Sequence, residues 1–339
     1  MPSGYKLSRG KQPPITVVNK ASKKGEKMTN PTVFICGIDG FIGSVFKATL
    51  EKKGYVVYGS VYVREPEIGE FYLDISEKSS FESLPKIHFD AMINNIGVID
   101  QSMARRLMFA VNAKGVKNVL NWAEWIHCPH FIQVSSIGVY GLRAMGQQRD
   151  ETTPRTRYLG VAYQTSKAKG EEWVEQSTLP YTILRLPSVV GKGDTIITPA
   201  IGRYLQHGTY FTSGYNNPLF SILAVKNLAD VMDKVIQQGL SEPPTNSIYN
   251  VASHHLTWSE LVQEYAKQLQ VDIPEKKRSL LSMIFNLSDK LYLFLLTNSR
   301  FGAHFPDDKF ARTFSYTPSH TWQEAVYDAV AGLTETDSK

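Results

Sequence analysis

Short apolar runs alternate with amphipathic segments through the first half of this chain. The apolar runs span five to seven residues and predict buried strands, whereas the longer amphipathic segments predict helices. The predicted strands are Thr32–Cys36, Tyr55–Val61, Phe89–Asn94, His130–Ser135 and Tyr181–Leu186. The predicted helices are Ser44–Lys53, Gln101–Trp125 and Tyr163–Gln176. This alternation predicts an α/β fold with a doubly wound parallel sheet and right-handed crossovers.

The rhythm changes after Pro187, where helical pieces no longer alternate regularly with strands. Thr257 and Glu260 have the spacing of a capping box that opens a helix toward Leu269. The other elements predicted in this half are helices at Pro199–Gln206, Leu228–Gln238 and Ser279–Leu296, and a strand at Ile248–Ala252. We therefore expect a first domain at residues 31–190 and a smaller lobe at 191–332, from which about 222–252 return to the main sheet. Residues 1–30 lack apolar periodicity and predict a disordered basic extension.

A glycine triplet directly follows the first predicted strand and precedes a helix. Its spacing is G-x-x-G-x-x-G. The first glycine permits a tight turn, the second lets backbone approach a pyrophosphate, and the third lets the helix pack closely on the strand. The phosphates would bind unpaired N–H groups at the helix N-terminus, as in Rossmann domains. The cofactor-binding residues predicted in this loop are Gly37, Asp39, Gly40, Phe41, Ile42 and Gly43.

The end of the second predicted strand bears on the choice between NAD and NADP. An acidic residue there binds the ribose hydroxyls of NAD, whereas a nearby arginine accepts the 2′-phosphate of NADP. The segment Tyr58–Arg64 contains no acid, and the first one is Glu65. Arg64 therefore favours NADP over NAD, with a surface arginine as the alternative interpretation.

Tyr163 and Lys167 stand four residues apart and share one face of a predicted helix. A free tyrosine has a pKa near ~10, which is too high for a base at neutral pH. A neighbouring ammonium stabilises the phenolate and lowers that pKa. The strand before this helix ends at Ser135 and Ser136, at the carboxyl edge where ligands bind in open α/β sheets. A hydroxyl at this edge can hydrogen-bond a substrate oxygen beside Tyr163.

With these motifs in order, the chain resembles the extended short-chain dehydrogenase/reductases, also called the NAD-dependent epimerase/dehydratase family. The matching motifs are Gly37–Gly43, Tyr72–Ile75, Val111–Leu120, Val134–Gly141, Tyr163–Lys167, Leu184–Gly191 and Val225–Asp230. The resemblance implies that Tyr163 donates or accepts a proton, that Lys167 holds the nicotinamide ribose, and that Ser136 orients the reacting oxygen. It also implies a catalytic role for Asn112 and cofactor contacts at Asp74, Ile75, Asn95, Pro187 and Ser188.

The resemblance leaves three kinds of reaction to compare. Dehydratases of this family carry an Asp-Glu pair directly after the catalytic hydroxyl, where this chain has Ile137 and Gly138, so dehydration is not expected. Nucleotide-sugar epimerases need cations for a diphosphate, and the family's arginine before the motif at Val225 is missing. The arginines that remain as substitutes are Arg203, Arg300 and Arg312.

The motif Leu184–Ser188 and an apolar second lobe are closer to the 3β-hydroxysteroid dehydrogenase and dihydroflavonol reductase branches. An apolar stripe at helical spacing runs through Leu280, Ile284, Leu287, Leu291 and Phe294. It predicts packing within the lobe, with a substrate wall or a membrane-surface contact as alternatives. We therefore predict an NAD(P)-dependent oxidoreductase that interconverts a secondary alcohol and a ketone on an apolar small molecule. A nucleotide-sugar epimerase with tightly bound NAD is the alternative, and the intact catalytic residues argue against a non-catalytic binding subunit.

Charge and cysteine content narrow the partners and the compartment. The net charge is +5, but residues 1–28 hold seven basic residues and one acid, which leaves 30 basic against 31 acidic residues elsewhere. A nucleic-acid partner is therefore not predicted. Cys36 and Cys128 lack metal-ligand spacing, so no metal is predicted, and no apolar run is long enough to span a membrane. We expect a cytoplasmic homodimer, or an organelle protein if residues 1–28 are a targeting segment.

Overall fold

A computed structural model describes residues 30–100, 102–144, 148–156, 161–206, 217–273 and 297–336. The described residues from Pro31 onward belong to one compact unit. The helix predicted at Ser279–Leu296, with its apolar stripe, lies outside the described residues, and so do residues 1–29 of the predicted extension. The division at residue 190 into a domain and a lobe stays a prediction.

Within the described residues, the main sheet has seven parallel strands in the order β3-β2-β1-β4-β5-β6-β9. These strands are β1 (Thr32–Cys36), β2 (Val56–Val61), β3 (Glu70–Tyr72), β4 (Ala91–Asn94), β5 (Phe131–Ser136), β6 (Tyr181–Leu186) and β9 (Ser247–Asn250). The strand order reverses between β1 and β4, where Cys36 pairs with Asn94 at the carboxyl edge. Open α/β sheets bind their ligands at such a switch point. The predicted doubly wound parallel sheet is confirmed.

Helices cover both faces of this sheet because each has one apolar side. We label them α1 (Phe41–Lys52), α2 (Arg105–Phe109), α3 (Val116–Trp125), α4 (Ala162–Glu175), α5 (Ile197–Gln206), α6 (Val225–Ser241), α7 (Trp258–Leu269), α8 (Asp308–Phe314) and α9 (Trp322–Thr336). On one face, Phe46 and Leu50 of α1 pack in a common core with Leu228 and Met232 of α6. On the other face, α3 packs Val119 into a separate apolar core.

A second, smaller sheet joins three short strands in the order β10-β8-β7. Its strands are β7 (Ser188–Val190), β8 (Leu219–Ala224) and β10 (His254–Thr257). The sequence pattern did not predict β7 and β10, because strands of only three and four residues show neither a continuous apolar run nor an alternation. The capping box is confirmed: Thr257 N–H donates to Glu260 Oε2 at 2.7 Å, and Glu260 N–H donates to Thr257 Oγ1 at 3.2 Å.

The predicted helix Gln101–Trp125 is wrong in its first part. Gln101 lies outside the described residues, and the helix α2 begins at Arg105 after Ala104, whose ψ of 134° is extended. The carboxylate of Asp100 accepts the N–H of Ser102 at 2.8 Å, and such a local turn competes with helical hydrogen bonds. The segment between α2 and α3 is then π-helical over Ala110–Gly115. Single π-helical turns often occur at functional sites.

A buried histidine at the amino edge of β5 makes the fold sensitive to acid. His130 is 2% exposed, and its Nε2 lies 2.9 Å from Thr182 Oγ1. A Cβ on Gly239 would lie 2.3 Å from His130 Nδ1, so α6 passes directly over the ring. Burial lowers the pKa of His130 to about 4.

Acid is therefore expected to destabilise the protein through His130. Between pH 6.5 and 4 the unfolded chain binds a proton at this residue that the folded chain does not, so the free energy of unfolding falls with pH by on the order of 3 kcal/mol. Urea unfolding of His130→Asn at pH 7 and pH 4.5 should show a smaller acid loss than the parent chain. His88→Asn, at a 66% exposed side chain, is the control. Equal acid losses in all three proteins would contradict this account.

Candidate active site

The glycine loop between β1 and α1 is shaped by two close approaches. Gly37 has φ of +80°, and a Cβ there would lie 3.0 Å from Ile96 Cγ1. A Cβ on Gly43 would lie 2.0 Å from the carbonyl oxygen of Gly37, so α1 packs against the turn without room for a side chain. Both positions therefore require glycine.

Gly40 serves a different purpose, because it is exposed and forms the N-cap of α1 without a capping side chain. A Cβ there would meet the Gly37 carbonyl oxygen at an ordinary 3.6 Å. The first N–H groups of α1 consequently face an open cradle, to which Asp39, Phe41 and Ile42 are adjacent. This cradle fits the pyrophosphate of a dinucleotide.

Arg64 lies beyond the end of β2 and is paired with acids. Its guanidinium contacts both carboxylate oxygens of Glu70, at 2.6 and 2.8 Å, while its side chain stays 39% exposed. Burial of Glu70 is more than offset by hydrogen bonds from Arg64, the Glu67 N–H and Lys47, which lower the pKa of Glu70 to about 2. The end of β2 itself is Val61, so an acid is absent from the strand end as the sequence indicates.

Three further residues expected to contact the cofactor lie beyond the ends of β3 and β4. Asp74 Oδ1 accepts the N–H and the Oγ–H of Ser76 at 2.9 and 2.7 Å, which holds the carboxylate in a local turn. Ile75 is buried against Gly115, where a Cβ would come within 2.9 Å of its side chain. Asn95 follows β4 at the switch point, and its N–H donates to the Cys36 carbonyl at 3.2 Å.

The predicted catalytic hydroxyls meet at the carboxyl edge of β5. Tyr163, in the first turn of α4, is half-buried and lies beside Ser136, the last residue of β5. Ser136 Oγ also accepts the N–H of Gly138 at 3.0 Å. A Cβ on Gly138 would lie 3.2 Å from Ser136 Oγ and 3.4 Å from Tyr163 Cε1. Glycine at position 138 thus keeps the space beside both hydroxyls open.

Lys167 lies one turn further along α4 and is 8% exposed. Its Nζ donates to the Val134 carbonyl oxygen at 2.8 Å. A Cβ on Gly97 would lie 3.5 Å from this Nζ and 3.6 Å from Asn112 Oδ1, so both polar groups flank the backbone that leaves β4. Burial lowers the pKa of Lys167 to about 8, and the charge of Glu171 opposes this shift.

Asn112, in the π-helical segment, holds the chain after β4. Its Oδ1 accepts the Val98 N–H at 2.8 Å, and its Nδ2 donates to the Val98 carbonyl at 2.8 Å and to Ser166 Oγ at 3.1 Å. A Cβ on Gly170 would lie 2.4 Å from the Asn112 carbonyl oxygen, so α4 packs directly on this segment. Asn112 is therefore placed to position the loop beside Lys167.

Pro187 and Ser188 follow β6 at the same edge of the sheet. Both are half-buried, and Ser188 opens β7 opposite Ile222 of β8. Phe220 of β8 is 2% exposed and packs edge-on against Trp258 at 5.6 Å between ring centroids. Phe220 is therefore part of the lobe's core.

The hydroxyls and the ammonium are arranged for proton exchange with a bound oxygen atom. Burial raises the pKa of Tyr163, and the hydrogen bond from Ser136 partly opposes that shift. The phenol is therefore protonated at neutral pH in this structure. Activation of the phenol requires additional positive charge near it, which is what an oxidised nicotinamide supplies when it is bound.

Two residues that the sequence reasoning did not select lie directly below this site. Glu171, on α4, and Arg185, on β6, form a buried bidentate ion pair. A signal for them was present, since Glu171 follows Lys167 by one helical turn and Arg185 interrupts an otherwise apolar strand.

Among the residues that the structure describes, no three His, Cys, Asp or Glu side chains lie close enough to hold a metal ion. No helix in this described part of the chain is both long enough and apolar enough to cross a bilayer.

The chain is similar to known proteins in sequence and in fold. The model of the NAD dependent epimerase/dehydratase family matches residues 33–252. A 148-residue stretch, 42% of the chain, is 29% identical to the decarboxylating sterol-4-alpha-carboxylate 3-dehydrogenase of Schizosaccharomyces pombe and covers 44% of it. A longer stretch, 71% of the chain, is 22% identical to 3beta-hydroxysteroid dehydrogenase/Delta(5)-Delta(4) isomerase 1 of Caenorhabditis elegans and covers 51% of it. The chain thus spans about half the length of these relatives.

Among solved structures, the Bordetella bronchiseptica enzyme WbmH in complex with NAD+ has the same fold. The TM-score is 0.72 at 19% identity, over 90% of this chain and 99% of that one. At this identity the likeness concerns the fold alone.

Proposed function

The chain belongs to the NAD-dependent epimerase/dehydratase family, and on that premise we propose that it is an NAD(P)-dependent dehydrogenase that interconverts a secondary alcohol and a ketone on an apolar, steroid-like small molecule. The observation that carries the proposal is that the side chains of Ser136 and Tyr163 lie side by side next to Gly138, with Lys167 one turn further along α4. Gly138 stands beside this pair where a dehydratase has an acid–base residue. The two sterol and steroid dehydrogenases among the relatives support an apolar substrate.

Each residue has a defined task in this reaction. The substrate oxygen would accept hydrogen bonds from Ser136 and Tyr163, which orients the carbon that gains or loses hydride. Tyr163 donates its proton to the oxygen in reduction and removes a proton in oxidation. Lys167 supplies positive charge close to the phenolate. The nicotinamide, when bound, supplies or accepts the hydride.

The test supplies the purified chain with a 3β-hydroxysteroid and either NAD+ or NADP+. Net formation of reduced nicotinamide that is lost in Tyr163→Phe is the expected result. Interconversion of UDP-glucose and UDP-galactose on a co-purifying NAD, without net reduction, would show the epimerase alternative instead. We expect the dehydrogenase outcome, because a diphosphate site needs cations and the arginine that the family carries before the motif at Val225 is missing.

We propose NADP as the preferred cofactor, and a substitution of Arg64 tests this preference. Arg64→Ala is expected to weaken NADPH binding about 10-fold, because a charged hydrogen bond to the 2′-phosphate is lost, and to leave NADH binding nearly unchanged. Fluorescence titration of both reduced cofactors measures this, with Arg203→Ala as an exposed-arginine control. Equal effects on the two cofactors would identify Arg64 as a surface residue bound to Glu70.

We propose that the protein forms a homodimer in which α3 and α4 pack against the same helices of a second copy of the chain. Trp173 on α4 is flanked by Lys117 and Lys169, whose ammonium groups lie 4.0 and 4.5 Å from its ring centroid. Leu107 on α2 is 48% exposed. Light scattering on the purified chain should give twice the chain mass, and Trp173→Glu should give the monomer. A monomeric parent chain would contradict the proposal.

We propose that the protein is located in the cytoplasm, with an organelle as the alternative. Cys36 and Cys128 are buried free thiols, and burial raises the pKa of both. Fractionation of cells that express the chain with or without residues 1–28 distinguishes the two compartments.

A further inference from the structure

A cluster of buried charges lies directly beneath the Tyr163–Lys167 pair. Glu171 and Arg185 are 1% and 2% exposed. Arg185 donates from Nε to Glu171 Oε1 at 3.1 Å and from Nη2 to Oε2 at 2.8 Å. Ser135 Oγ–H donates to Glu171 Oε1 at 2.6 Å, and Arg155 Nη1 donates to Oε2 at 3.1 Å. One carboxylate thus joins α4 to β5, to β6 and to the loop that carries Arg155.

The arginine of this cluster extends the connection toward the far side of the site. Arg185 Nη1 donates to the Tyr140 hydroxyl at 3.0 Å, and that hydroxyl donates to Asn250 Oδ1 at 2.7 Å. Tyr140 belongs to the short helical segment that begins directly after Ser136. The chain on both sides of Ser136 is therefore tied to the same buried ion pair.

The spacing along α4 gives this cluster its meaning for the chemistry. Tyr163, Lys167 and Glu171 follow one another at four-residue intervals and share one face of the helix. Ser135, which binds Glu171, immediately precedes Ser136 on β5. The hydrogen bond between Ser135 and Glu171 therefore fixes the position of α4 relative to the end of β5, where Tyr163 lies beside Ser136.

The same carboxylate is the counter-charge of the buried lysine. Glu171 lies one helical turn after Lys167 on α4, and its negative charge opposes the effect of burial on the pKa of Lys167. Two neighbours of the ammonium on other elements are uncharged: Nζ donates to the Val134 carbonyl on β5, and it lies near the backbone of Gly97 after β4. Tyr163 is the titratable neighbour on α4. Without Glu171 the ammonium would face burial with no compensating anion.

We propose that Glu171 is a positioning residue for catalysis, which fixes α4 on β5 through Ser135 and Arg185 and supplies the negative counter-charge one helical turn from the buried Lys167 ammonium. The inference rests on the proposed role of Lys167 beside Tyr163. It needs no substrate to be tested, so its failure and the failure of the proposed redox activity are separate results.

The experiment follows the protonation of Lys167 itself by NMR of protein labelled with ¹³C at lysine Cε, whose chemical shift reports the charge of the amine. Lys167→Arg removes one resonance and so assigns it. In the parent chain we expect a midpoint near the pKa of about 8. In Glu171→Gln the midpoint is expected to fall by about one pH unit or more, because burial is then unopposed and two guanidinium groups lose their anion. Glu171→Asp, which retains the charge, should restore most of the shift.

Matched variants separate charge from folding. Glu172→Gln alters the next residue of α4, whose carboxylate binds Lys169 at the surface at 2.8 Å, and should leave the midpoint unchanged. Arg155→Gln removes a cation from Glu171 at the rim, where the side chain is 17% exposed, and should move the midpoint upward by a few tenths of a unit. If Glu171→Gln does not fold by circular dichroism, the direction of the Arg155→Gln shift decides. A folded Glu171→Gln protein with an unchanged Lys167 midpoint, or an Arg155→Gln protein with none of the upward shift, would overturn the proposal.

Discussion

Tyr163→Phe is expected to lower turnover by about 10²- to 10⁴-fold, which is the usual contribution of a positioned acid or base. The variant loses one oxygen, while the ring remains packed beside Gly138 and Ser136. Cofactor affinity should stay within about twofold of the parent value, because the phenol hydroxyl exchanges a proton with the reacting substrate oxygen and does not bind the dinucleotide. Steady-state kinetics together with fluorescence titration of the reduced cofactor measure the two effects separately.

The pH dependence gives this prediction a sign. Because burial raises the pKa of Tyr163, oxidation, which needs the phenolate, should accelerate as the pH rises. Reduction, which needs the phenol and the Lys167 ammonium, should decline above about pH 8, where Lys167 loses its proton. Tyr327→Phe, at a 61% exposed tyrosine, is the control that should leave both profiles unchanged. Turnover in Tyr163→Phe equal to that of the parent chain would refute the assignment.

The strands at the centre of the sheet could be predicted from the sequence because their burial is nearly complete. Thr32–Cys36 and Tyr181–Leu186 are strands with the predicted bounds. Continuous apolar runs of this kind suit a parallel sheet covered on both faces. The strands β7 and β10 of the second sheet could not be predicted, since three or four residues are too few to show an apolar run or an alternation. The strand His254–Thr257, for example, pairs with β8, where the partner of His255 is Ser221, 34 residues earlier in the sequence.

The site was predictable where its chemistry is concentrated in a local motif. The glycine loop and the pair Tyr163–Lys167 are visible because their spacings follow from backbone geometry. The tie between Glu171 and Arg185 joins residues on different elements, and only the folded chain shows that they meet. The same is true of Asn112, whose amide binds Val98 rather than a catalytic group. Tertiary contacts therefore add the positioning residues to a reactive core that the sequence indicates.

Gly43→Ala and Gly40→Ala are expected to separate the two functions of the glycine loop. In Gly43→Ala the new Cβ would lie 2.0 Å from the Gly37 carbonyl oxygen and 2.9 Å from its carbon, so α1 must move away from the turn. Overpacking against backbone leaves no side chain that could give way, and we expect a loss of about 2–4 kcal/mol in the free energy of unfolding. Cofactor binding is then lost together with the loop geometry.

Gly40→Ala has the opposite balance. Its φ of −76° suits alanine, and its Cβ would meet the Gly37 carbonyl oxygen at 3.6 Å, so the loss in stability should stay below about 1 kcal/mol, mainly from the poorer N-cap. The methyl group nevertheless enters the cradle where a pyrophosphate would approach the N–H groups of α1, so cofactor binding should fall at least about 10-fold. Urea unfolding and fluorescence titration of both variants test the pair. If Gly40→Ala retained full affinity, the phosphates would not lie over this backbone, and the loop would be a structural turn whose glycines serve only the packing of α1 on β1.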